Sequence, residues 1–144
     1  MPVNYKPEPY HSVTPYLVTS DADRLLDFMK QTFGASEKEM MRRPDGTIGH
    51  AEVLIGDSVV MLGQPTGDFT TTTATLYVYV PDADATYKRA LGVGGTSLRA
   101  PETQFYGDRH GAVIDPAGNQ WWIATHVEDV APDEMMRRAQ AAMK

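Results

Sequence analysis

Apolar and polar positions along the chain alternate between a strand period and a helix period. Val13 to Thr19 reads as a strand. Asp21 can cap a helix running to Phe33, with Leu25, Leu26, Phe28 and Met29 as its apolar stripe and Gly34 just past its end. Glu37 to Arg43 is a second strand, Pro44-Asp45-Gly46 a turn, and Ile48 to Ile55 a third strand. Gly56-Asp57 makes a hairpin into Val59 to Leu62, and the polar stretch from Gln64 to Thr73 reads as a linker. Ahead of all this, residues 1–12 carry Pro2, Pro7 and Pro9 and read as an extended arm.

The same order then returns. Ala74 to Val80 is a strand, Asp82 opens a helix to Leu91, and Gly92, Gly94 and Gly95 end it. Thr96 to Thr103 is a strand. Arg109 to Asp115 and Gln120 to Thr125 form a hairpin around Asp115-Pro116-Ala117-Gly118. At a spacing of 61, Tyr16 falls on Tyr77, Asp21-Ala22-Asp23 on Asp82-Ala83-Asp84, Gly34 on Gly95, Gly46 on Gly107 and Ala51 on Ala112. After Ala51 the spacing becomes 62, placing Gly56 on Gly118. Matches in register through a β-α-β-β-β order in both halves indicate a tandem duplication. The expected organisation is an arm (1–12), one domain (13–125) made of module one (13–63), a linker (64–73) and module two (74–125), and a C-terminal segment (126–144). Two such modules would pair their sheets around a shared cleft with the helices outside. Pro132 to Met143 reads as an amphipathic helix, with Met135, Met136, Ala139 and Met143 able to pack on the body or on a second subunit.

Composition narrows the function. At 144 residues, 42% apolar and 22% charged, the chain is sized for one ordinary globular domain. The net charge is −6 and no Lys or Arg stripe is present, which argues against nucleic acid as a partner. The longest uncharged run, Phe69 to Pro81, is too short to cross a bilayer, and the first residues show no signal-peptide pattern. A cytoplasmic location, with no membrane partner, is expected. The absence of cysteine removes thiolate nucleophiles and thiolate metal sites.

The stretches VTPYLVTSDADRLLDFMKQTFGA, HAEVLIGDSVVML, TLYVYVPDADATYKRA and QFYGDRHGAVIDPAGNQWWIATHVEDV resemble the vicinal-oxygen-chelate superfamily of glyoxalase I, bleomycin-resistance proteins and extradiol dioxygenases, and within it the PhnB-like branch. The resemblance implies an α+β fold: two tandem βαβββ modules, a U-shaped mixed sheet around a small-molecule cleft, and commonly a homodimer. Some PhnB-like proteins are labelled methyltransferases, but no glycine-rich nucleotide loop supports that here; Gly92-Val93-Gly94-Gly95 is a helix stop. The metal-dependent members take His, Gln or Glu ligands from the first and last strand of each module. Those positions fall here on Thr14, Val60, Thr75 and Trp122, with Trp122 in place of a ligand Glu. Threonine is a weak donor and Val and Trp are none, so neither a metal nor another cofactor is expected in the cleft.

With Thr14 and Thr75 facing the cleft, strand alternation turns Tyr16, Tyr77 and Tyr79 the same way and sends Leu17, Leu76 and Val78 toward the helices. Trp122 then faces the cleft while Trp121 and Ile123 lie under a helix. The third strand of module one offers His50, Glu52 and Leu54; repeat equivalence adds Gly111 and Val113, and alternation adds Arg109. His110 falls on the opposite parity and reads as a surface or interface residue, and His126 just past the last strand reads as a surface residue. The candidate site is therefore Tyr16, His50, Glu52, Tyr77, Tyr79, Arg109 and Trp122, an aromatic lining with a few polar groups suited to a planar or partly anionic small molecule steered by Arg109. The expected function is metal-free binding or sequestration of a metabolite or antibiotic. The alternative is a glyoxalase-like lyase or isomerase in which Glu52 and His50 serve as acid and base, or in which they join His110 or His126 around an ion.

Overall fold

The structure, a computed structural model, describes residues 3–143. The chain divides into two compact units, one running through Ala74 with 116–118 added, the other holding 75–115 and 119 onward. Each unit contains one βαβββ module.

The first unit holds β1 (Tyr16–Val18), α1 (Ala22–Phe33), β2 (Ser36–Arg42), β3 (Ile48–Ile55) and β4 (Ser58–Gly63). Its sheet has the order β1-β4-β3-β2, with β1 parallel to β4 and the other pairs antiparallel. The first strand is shorter than Val13 to Thr19. Pro15 has no N–H for the ladder, and pairing starts after it, with the Pro15 carbonyl accepting from the Met61 amide. The Asp21 carboxylate caps α1 by accepting from the Arg24 amide at 3.2 Å, and Gly34 closes the helix in a left-handed conformation. Leu25, Leu26, Phe28 and Met29 of α1 are buried, as are Leu17, Ala51, Val53, Val60 and Leu62, which share one face of the sheet.

The second unit holds β5 (Thr75–Tyr79), α2 (Ala83–Gly92), β6 (Thr96–Thr103), β7 (Asp108–Ile114), β8 (Gln120–His126) and α3 (Pro132–Ala142). Its sheet has the order β5-β8-β7-β6, again with one parallel pair, β5 with β8. Asp82 caps α2 through the Ala85 amide at 3.1 Å. Val113, Trp121 and Ile123 are fully buried on the α2 side. The Asp115 carboxylate fixes the β7–β8 turn, accepting from the Asn119 amide at 3.0 Å, from Asn119 Nδ2 at 3.0 Å and from Trp121 Nε1 at 2.7 Å. In α3 no residue is buried, and Met136 is exposed. Among the described residues no helix is long and apolar enough to cross a membrane.

The two sheets share an irregularity that alternation alone does not foresee. In β2 the pairing with β3 slips between Glu37 and Glu39, and in β6 the pairing with β7 slips between Ser97 and Arg99. Each slip is a β-bulge, which sets two consecutive residues against one on the neighbouring strand and re-aims a side chain. Glu37 therefore stays with α1, where it pairs Lys30 at 2.8 Å, whereas Glu39 turns to the opposite face and stands across from Glu52.

Candidate functional site

The face of the first sheet opposite α1 carries a continuous chain of polar side chains. Tyr16 on β1 places its hydroxyl 2.9 Å from His50 Nδ1 on β3. His50 Nε2 lies 2.7 Å from Glu52 Oε2, two residues along the same strand. The other carboxylate oxygen of Glu52 accepts from the Tyr10 hydroxyl of the N-terminal arm, and Tyr10 accepts from Lys38 Nζ at 2.7 Å. Lys38 Nζ is also 3.5 Å from Glu52 Oε1 and 3.7 Å from Glu39 Oε1. Phe69 closes edge-on against the Tyr16 ring, with centroids 5.3 Å apart.

The electrostatics of this chain set its proton positions. Glu52 is only 4% exposed, and burial pushes its pKa up, but the hydrogen bonds from Tyr10 and His50 and the charge of Lys38 outweigh burial and hold it below the usual carboxylate range. Burial and the negative charge of Glu52 raise the Tyr16 phenol, and the bond to Glu52 raises Tyr10. Glu52 is thus an anion between two protonated phenols and an imidazole. Both of its oxygens are engaged, so it orients His50 and is not a free base.

The second sheet carries a related group on the face opposite α2. The hydroxyls of Tyr77 and Tyr79 both donate to Asp108 Oδ2, at 2.7 and 2.8 Å, and their ring centroids are 5.4 Å apart. Asp108 Oδ1 meets His126 Nδ1 at 2.8 Å, and His126 Nε2 reaches Asp129 at 2.7 Å. The Tyr77 and Tyr106 hydroxyls lie 3.1 and 3.2 Å from His110 Nδ1. His110 stacks edge-on against Trp122, with centroids 5.2 Å apart, and the Arg99 guanidinium lies 5.5 Å from the Trp122 ring centre. His110 is 4% exposed, Nε2 has no hydrogen-bond partner among the described residues, and burial followed by the charge of Arg99 depresses its pKa. Tyr77 and Tyr79 remain 44% and 62% exposed.

Tyr16, His50 and Glu52 fall together in the first unit, and Tyr77, Tyr79 and Trp122 share one face in the second. Arg109 does not join them. Its Nε pairs Asp84 of α2 at 3.1 Å, and Nη1 donates to Thr103, so it stands on the helix side together with the buried Val113 and with Gly111. His110 takes the face assigned to Arg109, and Arg99 supplies the cation.

Strand register accounts for the difference. Tyr16 pairs Met61 and Tyr77 pairs Trp122, so the last strands keep the spacing of 61 and the counterpart of Trp122 is Met61. Val60 is buried on the α1 side. Glu52 pairs Met61 and Ala112 pairs Trp122, which makes His50 and His110 equivalents. Two histidines placed one residue off the assumed spacing were the available signal. Thr14, Met61, Thr75 and Trp122 offer no good donor set for a divalent ion, so the ion that the superfamily commonly uses does not fit at those positions. His110 and His126 lie in the other unit from His50 and Glu52; the donor that stands beside that pair is Glu39.

Two βαβββ units, each setting aromatic and titratable side chains on the sheet face away from its helix, define a duplicated α+β class. The family model of the Glyoxalase/Bleomycin resistance protein/Dioxygenase superfamily matches residues 10–123, and the chain belongs to that superfamily. It is 36% identical over 154 residues to an uncharacterised protein of Mycobacterium bovis, covering 99% of this chain and 96% of that one. Among solved structures it is similar to TioX from Micromonospora sp. ML1 (TM-score 0.70, 24% identity, 81% of this chain and 99% of that). It is also similar to a glyoxalase/bleomycin resistance protein/dioxygenase family enzyme from Burkholderia phytofirmans PsJN (TM-score 0.65, 20% identity, 79% of this chain and 97% of that). At these identities the structural likeness establishes the fold.

Proposed function

We propose that this chain binds a planar organic molecule, metabolite or antibiotic, against the aromatic face of its second sheet. The observation that carries the reading is the state of Tyr77 and Tyr79. Both rings are substantially exposed, yet both hydroxyls are tied to Asp108, so their orientation is fixed before any ligand arrives. Preorganised rings lose little side-chain entropy on binding. Trp122 extends the row beside Tyr77, and Arg99 over Trp122 provides the charge that would steer a carboxylate or phosphate group on the ligand. A fluorescence screen against planar aromatic acids and bases tests this. Saturable binding that is lost in Trp122→Ala and Tyr77→Ala is expected; undiminished binding in Trp122→Ala would remove the proposal.

The Tyr16–His50–Glu52 chain favours a second reading, an acid–base lyase or isomerase. There a buried carboxylate fixes an imidazole, and the imidazole exchanges a proton with a phenol. Glu52→Gln separates the two readings. A binding protein keeps its affinity, whereas an enzyme keeps its affinity and loses turnover.

We propose further that the chain forms a homodimer, as the superfamily commonly does, with the exposed Met136 of α3 available for contact. A monomer mass by light scattering would refute it.

A further inference from the structure

We propose that Glu39, His50 and Glu52 bind a divalent first-row transition ion such as zinc or manganese, on β2 and β3 rather than at the first- and last-strand positions. One ligand atom from each of the three lies within 4.8 Å of the others. An ion bonded at about 2.0–2.2 Å to each donor sets them roughly 3–3.5 Å apart, so the 2.7 Å contact of His50 with Glu52 opens slightly and Glu39, on an edge strand with half of its side chain exposed, rotates inward. One imidazole and two carboxylates suit a borderline divalent ion better than magnesium or calcium, and waters can complete the shell on the exposed side.

The surroundings are those of a ligand set. A coordinating imidazole needs an acceptor for its other nitrogen, and Tyr16 lies against His50 Nδ1 at 2.9 Å. With an ion on Nε2, the imidazole proton sits on Nδ1 and the Tyr16 hydroxyl turns from donor to acceptor. The ion then takes the place of the proton between His50 Nε2 and Glu52 Oε2, now 2.7 Å apart. A coordinating carboxylate is normally held on its remaining oxygen, and Tyr10 and Lys38 already hold Glu52 Oε1. Glu39 reaches this face only because of the β2 bulge. Without it, Glu39 would point toward α1 beside Glu37. Two carboxylates against one ammonium leave the cluster net negative, and Lys38, at 3.5 and 3.7 Å, is too distant to satisfy both.

The test uses the full chain after dialysis against a chelator, with zinc, manganese and cobalt(II) chlorides as probes. Equilibrium dialysis with elemental analysis gives stoichiometry, and cobalt absorption in the visible reports coordination. Circular dichroism verifies that each variant is folded. At least one of the three ions should bind at one per chain. Glu39→Gln and His50→Gln should each weaken it about tenfold or more. Glu39→Gln matters most, because Glu39 takes no part in the Tyr16–His50–Glu52 chain, so an effect there belongs to the ion and not to proton relay. Lys38→Met removes the resident cation and should tighten binding several-fold. The proposal is overturned if no ion saturates, if Glu39→Gln or His50→Gln binds as the parent does, if Lys38→Met binds no tighter, or if the loss follows His126→Gln, which breaks the histidine–carboxylate group of the other unit. Ring stacking on Tyr77 and Trp122 is read by a different assay and stands or falls separately.

Discussion

The Tyr16 hydroxyl meets His50 Nδ1 at 2.9 Å, and its duplicated counterpart, Tyr77, meets His110 Nδ1 at 3.1 Å. The pair occurs in both halves, but only the first has a carboxylate behind the imidazole. Glu52 occupies the position that Ala112 holds in the second half. His50 Nε2 is consequently bonded, whereas His110 Nε2 is buried with no partner among the described residues.

Glu52→Ala should cost about 2–4 kcal/mol by urea denaturation, since it takes the acceptor from the Tyr10 hydroxyl and from His50 Nε2 and removes one of the two carboxylates beside Lys38. The depressed pKa of Glu52 gives the sign of the acid response. Its contribution is fully present above the ordinary carboxylate range and is lost as pH falls through the lower folded value. Glu52→Gln should therefore flatten the acid limb of the stability profile.

His126 acts in the opposite direction. Its hydrogen bonds to Asp108 and then Asp129 raise its pKa, so its contribution is complete below the ordinary imidazole value and disappears as pH rises through the raised one. Urea midpoints measured from about pH 5 to 9 should fall on the alkaline side of that interval in the parent and stay level in His126→Gln.

Gly107 and Gly46 are turn counterparts with positive φ, 98° and 90°. A Cβ at Gly46 meets open space, whereas one at Gly107 would lie 2.1 Å from the Glu128 carbonyl oxygen, where the chain folds back on β7. Gly46→Ala should cost about 1 kcal/mol, the strain of φ alone. Gly107→Ala should cost clearly more and release the 127–129 segment, seen as faster amide exchange at Val127 and Glu128, whose amides bond to Gly107.

The two tryptophans should report separately. Trp121 is fully buried with its indole N–H on Asp115, and Trp122 is half-buried on the opposite face. In Trp122→Phe the remaining emission should be blue-shifted and resist acrylamide, and any ligand-induced change should vanish with it.

The pattern of apolar positions was enough to read the two βαβββ modules, the Asp21 and Asp82 caps and the hairpin turns, because these follow from local periodicity and turn chemistry. Ile48–Ile55 and Thr96–Thr103 coincide with their expected spans. What failed was parity. The β2–β3 pairing slips between Met41 and Arg42 while the β6–β7 pairing runs on from Glu102 to Thr103, so the spacing drops to 60 at His50; the longer turn after Ile114 restores 61, and one residue of offset reverses a strand face. That error placed Arg109 where His110 stands and Val60 where Met61 stands. Glu39 and Lys38 were hidden by a bulge, which leaves no mark on a hydrophobic pattern, and Tyr10 by an arm whose fold-back depends on tertiary contact.

Tyr10 reaches Glu52 across 42 residues of chain. The proline-bearing leader is thereby wired into the sheet's chemistry, and a protease cut ahead of His11, or a bulky fusion that pulls the leader away, would retune an interior acid without altering one residue of the strand that bears it.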